Sequence, residues 1–329
     1  MQQRDLFGNL IIEQKPIIAY PWSHSKANFL DSCPLKYFFQ YYGSKARYAK
    51  NIENKERIVF LSHLATKQLI AGTIIHDAID NYYKQYKRGI NYNLSMLLNW
   101  ASNKFAIICQ LTEKARENNN IKFDSRDKIS KELYEGTAKA EEFKKEIQEK
   151  ITLNLTNFYE AQIFEDFRKG GKLKNSFLEK WVIFKLMNYV AIKGKLDLGF
   201  QAATGDYFIV DWKTGNVENE ETSLQLLIYA VWATEVMGIE VGKVKLFKAY
   251  LQEQRVEPLE FSEDHILRAK MRVIQDTESI EKLHKYGVDG VAAAFSKIDF
   301  PNKVCPQCPF EEICHKKVQN GNANKYQVS

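Results

Sequence analysis

Nowhere in these 329 residues does an uninterrupted apolar run approach the roughly 20 residues that a membrane-spanning helix needs. The opening Met1-Gln-Gln-Arg-Asp-Leu-Phe lacks the basic-then-apolar order of a secretory signal. Both absences lead to the expectation of a cytoplasmic protein with no membrane partner. The chain has no internal repeat and no low-complexity segment, so neither stacked repeats nor compositional tails organise it. A phosphate-binding loop of the form G-x-x-x-x-G-K-[ST] is missing too, so ATP-driven work would fall to a separate protein. Charge of one sign is barely in excess: 47 basic residues against 41 acidic give +6, which permits a polyanionic partner without demanding one. Cysteine is sparse at five residues, and in a reducing cytosol such residues ligate metal or do chemistry more often than they form disulfides.

What is present reads as helices followed by strands. The 45% hydrophobic and 27% charged shares are those of an ordinary soluble chain long enough for a substantial core. From Leu61 to Arg88 apolar residues recur at helical spacing, through Ile70, Ile74, Ile75, Ala78, Ile79 and Tyr82, with Gly89 as a stop. Residues 91–170 continue as helix, broken at Asn118-Asn119-Asn120. Near Gly170-Gly171 the character changes. Strands are expected at Phe177–Leu186 and Tyr189–Phe200, joined by a turn at Met187-Asn188, and at Tyr207–Trp212, between turn residues that run to Asn216. A helix from Ser223 to Met237, a strand from Lys243 to Leu251 and a helix from Asp264 to Leu283 follow.

The sharpest chemistry lies in Phe208-Ile-Val-Asp211-Trp-Lys213. Alternation puts Asp211 and Lys213 on one face of the strand and Val210 and Trp212 on the other. Asp197, in Gly194-Lys-Leu-Asp197, lies on the preceding strand, and strand pairing would bring it beside Asp211. Two carboxylates and a lysine are what phosphodiester hydrolysis uses: oxygen ligands for Mg²⁺ or Mn²⁺, and an ammonium for the attacking water or the transition-state charge. The plainer alternative is a charged pair on a half-exposed strand, since D-x-K triplets are common. Context weighs against it, because Gln225 and Tyr229 follow on one face of the next helix.

In Gly72-Thr-Ile-Ile-His76, Gly194-Lys-Leu-Asp197, Asp211-Trp-Lys213 and Gln225-Leu-Leu-Ile-Tyr229, in that order, the chain resembles the RecB-like branch of the PD-(D/E)XK nuclease superfamily. The resemblance implies an α/β fold: a restriction-endonuclease-like mixed sheet core with flanking helices and a helical insertion. It implies a metal held by His76, Asp197 and Asp211, water activated by Lys213, and Gln225 and Tyr229 completing the site. Taken alone, His76 would read as a core histidine. The family often carries arginine after the second-strand aspartate; here Leu198 stands there, which removes one possible DNA contact. Glu179 is left open, either an additional acidic site residue or half of a surface pair with Lys180. The implied activity is cleavage of DNA, exonucleolytic on single strands or ends, in repair, recombination or defence, with unwinding left to a separate helicase. The competing reading is a non-catalytic DNA-binding or scaffold module of the same fold.

Cys305-Pro-Gln-Cys308-Pro-Phe-Glu-Glu-Ile-Cys314 supplies three thiolates on a short segment, and Cys33 can supply a fourth. Zinc is one candidate; four unconnected thiols is another. The one-plus-three spacing resembles the iron–sulfur staple of AddB-type and CRISPR-associated RecB-like nucleases, which implies a [4Fe–4S] cluster joining the two ends of the chain. Cys109, within Phe105-Ala-Ile-Ile-Cys109, reads as an ordinary buried thiol. The aromatic and basic segment Lys36–Arg47 reads either as a DNA-tracking surface or as core with solvated charges. One domain over residues 1–329 is expected: an arm at 1–60, a helical region at 61–170, the catalytic sheet at 171–255 and the cysteine-bearing end at 256–329.

Overall fold

A computed structural model describes residues 21–45, 54–118, 121–215, 222–287 and 304–314. It opens with helices α1 (His24–Ser32) and α2 (Pro34–Phe38), whose first free amides are capped by the side chains of Ser23 and Cys33. A π-helical turn at Phe39–Gly43 and helix α3 (Lys55–Leu61) complete an N-terminal arm. The helix expected from Leu61 to Arg88 begins later. The chain first extends through β1 (Leu64–Ala65), which pairs in parallel with β2 (Ile129–Ser130), a contact that local periodicity does not encode. Thr66 then caps α4 (Lys67–Lys87), accepting the Leu69 amide at 3.4 Å. Gly89 ends α4 as expected, with φ +79°, a conformation that costs glycine little.

Helices α5 (Leu94–Glu117), α6 (Lys131–Glu135), α7 (Ala140–Glu160) and α8 (Glu165–Lys172) follow. α5 stops at the expected break, of which Asn119 and Asn120 lie outside the described residues, as does Asn216. Five strands then form one mixed sheet in sequence order: β3 (Phe177–Leu186), β4 (Val190–Gln201), β5 (Tyr207–Lys213), β6 (Val244–Tyr250) and β7 (Arg255–Leu259). β3, β4 and β5 run antiparallel, whereas β5 and β6 are parallel, as the crossover through helix α9 (Thr222–Glu235) requires. The turn between β3 and β4 has φ +50° at Met187 and +64° at Asn188, the mirror-image geometry that matches strand twist. β7, absent from the sequence reading, is short and carries Pro258, a residue that sheets accept at an edge.

Helix α10 (Glu263–Gly287) packs on α9, and with the N-terminal arm they cover one side of the sheet, while α4, α5, α7 and α8 cover the other. Among the described residues no helix is long and apolar enough to cross a membrane. The second core centres on Trp212, edge-on to the rings of Phe158, Phe164 and Phe167 at 5.4, 5.9 and 6.0 Å. Its buried indole N–H has no hydrogen-bond partner. Trp212→Ala is therefore expected to lower unfolding free energy by about 3–5 kcal/mol. Trp212→Phe, which also removes that unpaired N–H, is expected to lose clearly less. Equal losses in urea titration would show that ring packing is not what Trp212 contributes.

Candidate metal and catalytic site

The site is a row of carboxylates at one level of the sheet. β4 and β5 pair from Gln201↔Tyr207 to Leu198↔Val210, so the next step along both strands faces Asp197 with Asp211. There the backbone ladder gives way, and Asp197 Oδ2 accepts the Trp212 N–H at 2.9 Å. On the other side of β4, pairing with β3 passes from Leu178↔Leu198 to Lys180↔Leu196, leaving Glu179 level with Asp197. Glu179 has φ +44°, an unfavourable backbone conformation for a non-glycine residue in a strand. His76 enters from α4, with Nδ1 at 3.4 Å from Glu179 Oε1 and 3.5 Å from Asp197 Oδ2. One ligand atom from each of His76, Glu179 and Asp197 lies within 4.8 Å of the others.

Burial and the neighbouring charges together set the protonation preferences of the row. Burial opposes charge on His76, yet Asp197 and then Glu179 outweigh it and hold the imidazole well above its ordinary pKa. Asp197 is pushed up to about 6, first by burial; His76 pulls it down, and Asp211 and Glu179 add to the rise. Burial also acts on Glu179, but His76 and Lys195 overcome it and leave this carboxyl below its usual range. The Lys195 ammonium pairs with Glu179, and that of Lys213 pairs with Asp211. Asp211 Oδ2 is buried, and the Lys213 ammonium is its partner. Three largely buried carboxylates beside one imidazole, with ligand atoms of His76, Glu179 and Asp197 within 4.8 Å of one another, offer the oxygen-rich donor set that a hard divalent cation takes.

The closest group of possible ligand atoms joins His76 and Asp197 with Glu179, which the sequence left open, while Asp211, also expected as a ligand, faces Asp197 from β5. Gln225 and Tyr229 act one step further back. Gln225 Nε2 donates to the Tyr229 hydroxyl at 3.0 Å, and that hydroxyl donates to the Lys195 carbonyl at 2.6 Å. Gly194 permits the approach, since a Cβ there would lie 2.7 Å from Tyr229 Cε1. Together they fix the β4 backbone just before Asp197. Leu198 is fully buried against Val210 and Trp212, so an arginine at this position would have no route to a ligand.

His24 was not singled out from sequence. Beyond the end of β5, Trp22 takes up the vacated side of β4, bridging Ile192 through Trp22 N–H to Ala191 O at 2.7 Å and Lys193 N–H to Trp22 O at 2.8 Å. This starts α1 beside β5. The His24 imidazole is held below its ordinary pKa by burial and then by the Lys213 ammonium, and its Nδ1 is buried without a partner.

The cysteine-bearing end folds back on the arm. Phe310 is fully buried with its ring 5.3 Å from Phe39, and Arg57 clamps Glu312 through Nε at 2.5 Å and a second nitrogen at 2.8 Å. Burial raises the Cys308 thiol to about 11, with Cys33 and Cys305 close enough to add to the shift. Cys109 lies apart and buried in the other core, its thiol raised by burial. In Lys36–Arg47, the rings of Tyr37, Phe38, Phe39 and Tyr42 are buried and pack on one another, so these rings serve the core; Arg47 lies outside the described residues.

The sequence signature of the PD-(D/E)XK nuclease superfamily matches residues 21–315, a span that includes every site residue named above. No curated protein matches the chain. Because metal must displace the proton of Asp197 and compete with that of His76, Mn²⁺ affinity is expected to fall at least about tenfold per pH unit below pH 6. Calorimetric titration at pH 5.0 and 7.5 measures this; equal affinities would separate the metal from these two side chains.

Proposed function

The chain belongs to the PD-(D/E)XK nuclease superfamily, and on that premise we propose that it is a metal-dependent deoxyribonuclease, an exonuclease acting on single-stranded DNA or DNA ends. The observation that carries the reading is the convergence of His76, Glu179 and Asp197 within 4.8 Å, with Asp211 and its Lys213 partner on the adjoining strand. His76, Glu179, Asp197 and Asp211 are the residues that would hold Mg²⁺ or Mn²⁺. Such an ion supplies Lewis-acid stabilisation of the phosphoryl group and acidifies water. Lys213 is the donor poised to orient that water and to meet charge on the phosphoryl oxygens, and its pairing with Asp211 sets its direction. Lys195 offsets the charge of Glu179, while Tyr229 and Gln225 keep the backbone before Asp197 in place. Repair, recombination or defence are the processes such an activity would serve, with a helicase as a separate partner.

We further propose that Cys33, Cys305, Cys308 and Cys314 hold a [4Fe–4S] cluster. Among the described residues the four sulfurs do not close into one ligand group; what supports the reading is the one-plus-three spacing together with the influence of Cys33 and Cys305 on the buried Cys308 thiol, where ligation would make up for the cost of ionising it. Zinc would serve the same mechanical role.

Two experiments separate these claims. Lys213→Ala is expected to cut the rate of DNA hydrolysis in Mg²⁺ or Mn²⁺ by about 100- to 1,000-fold while DNA affinity stays near that of the parent, because the lysine acts on the transition state. Asp211→Ala should be equally inactive. A Lys213→Ala protein as active as the parent would refute the assignment of β5 as the catalytic strand; a parent that binds but never cleaves would support a scaffold instead. Anaerobically purified protein should be brown and absorb broadly in the visible, Cys33→Ser should lose that colour and Cys109→Ser should keep it. Colourless protein carrying stoichiometric zinc would overturn the cluster and leave the nuclease standing.

A further inference from the structure

A second feature, outside the carboxylate row, lies where the C-terminal end of α4 meets α8 and the chain entering β3. It is a groove of about 680 Å³ whose ten lining residues include four tyrosines and three lysines and no carboxylate. That volume is within the range of ligand-sized clefts. Tyr86 is 43% exposed at its mouth, and the Lys172 ammonium lies over the Tyr86 ring at 4.6 Å and over that of Tyr82 at 5.5 Å. Lys87 Nζ donates to neutral oxygens of Ser176, the hydroxyl at 3.0 Å and the carbonyl at 3.3 Å. Nearby Lys84 and Lys169 are paired with Asp80 and Glu165. Among the described residues no carboxylate pairs with Lys87, Lys172 or Lys174.

Three cations gathered without counter-charge repel one another, and an ordinary solvated surface would intersperse acids among them. Rings and ammonium groups in one groove match a ligand that alternates flat π-faces with negative charge. A single strand of nucleic acid has that alternation, whereas a duplex hides its base faces. The groove is also close to the carboxylates along the elements that they share. Lys87 holds Ser176, three residues before Glu179, roughly 10 Å along an extended chain. His76 and Tyr86 share α4 and are roughly 15 Å apart along its axis. A few nucleotides span such a distance.

We propose that this groove is a second contact for single-stranded DNA, with a base against Tyr86 and flanking phosphates on Lys87, Lys172 and Lys174, a few nucleotides from the bond to be cut. The inference rests on the nuclease reading for its substrate, yet the two can fail separately. Fluorescence anisotropy of labelled oligothymidylate with the full-length protein in EDTA reads binding without turnover. Tyr86→Ala should weaken binding about tenfold and Tyr86→Phe much less, since stacking needs the ring and not the hydroxyl. Lys87→Ala combined with Lys174→Ala should make the slope of log K against log salt shallower by about 1.4, the contribution of two phosphate contacts on a single strand. In steady-state cleavage the Tyr86→Ala effect should fall on KM more than on kcat. Circular dichroism of each variant verifies that the fold is kept.

Parent-level affinity in Tyr86→Ala, or an unchanged salt slope in the double variant, overturns the groove while normal cleavage leaves the nuclease reading intact. A parent that cleaves nothing but binds in a Tyr86-dependent way keeps the groove and sinks the nuclease.

Discussion

Three carboxylates at one level of three neighbouring strands is the constraint to which the rest of the structure answers. Like charges about 5 Å apart repel by roughly 3 kcal/mol at an effective dielectric constant of about 20, and burial removes the water that would relieve them. The relief is local and individually directed. His76 stands between Glu179 and Asp197, Lys195 pairs with Glu179, Lys213 pairs with Asp211, and the Trp212 amide spends its hydrogen bond on Asp197 in place of the ladder. Each of these depends on a larger element. α4 delivers the histidine, α9 braces the Lys195 carbonyl through Tyr229, and the rings around Trp212 hold the amide that donates to Asp197. Fold and site are thus joined through single atoms.

What the sequence makes legible is what has a period or a motif. Alternation in Tyr207–Lys213 separates Asp211 and Lys213 from Val210 and Trp212, and the structure assigns Val210 and Trp212 to the core beneath α7 and α8. The hairpin at Met187-Asn188, the end of α4 at Gly89 and the order of strands from β3 to β6 are legible for the same reason. Glu179 is legible only as one of two readings, because its backbone turns to positive φ within a strand and the neighbouring alternation gives no sign of it. His24 is hidden differently: its place beside Lys213 depends on Trp22 filling the gap beyond β5, a pairing between residues 170 positions apart. Position along the chain carries no trace of that pairing. The rings of Tyr37, Phe38, Phe39 and Tyr42 show the reverse case, a pattern open to two readings that burial resolves in favour of the core.

The arm that carries those rings is covered by parts of the chain made long after it. The Trp22 indole donates to Asp276 at 3.0 Å across a separation of 254 residues, and Arg57 grips Glu312 across 255. On a ribosome adding about 5–20 residues per second, some 250 residues take roughly 12 to 50 seconds to appear. Throughout that interval Phe39 lacks Phe310 and Trp22 lacks its acceptor on α10, and for the first 170 residues of it Trp22 lacks the β4 edge as well. The nascent chain therefore exposes this aromatic segment well before the residues that cover it are made. Vectorial synthesis makes the arm the natural client of whatever holds unfolded aromatic segments apart, and makes its docking a late event in maturation rather than the seed of the fold.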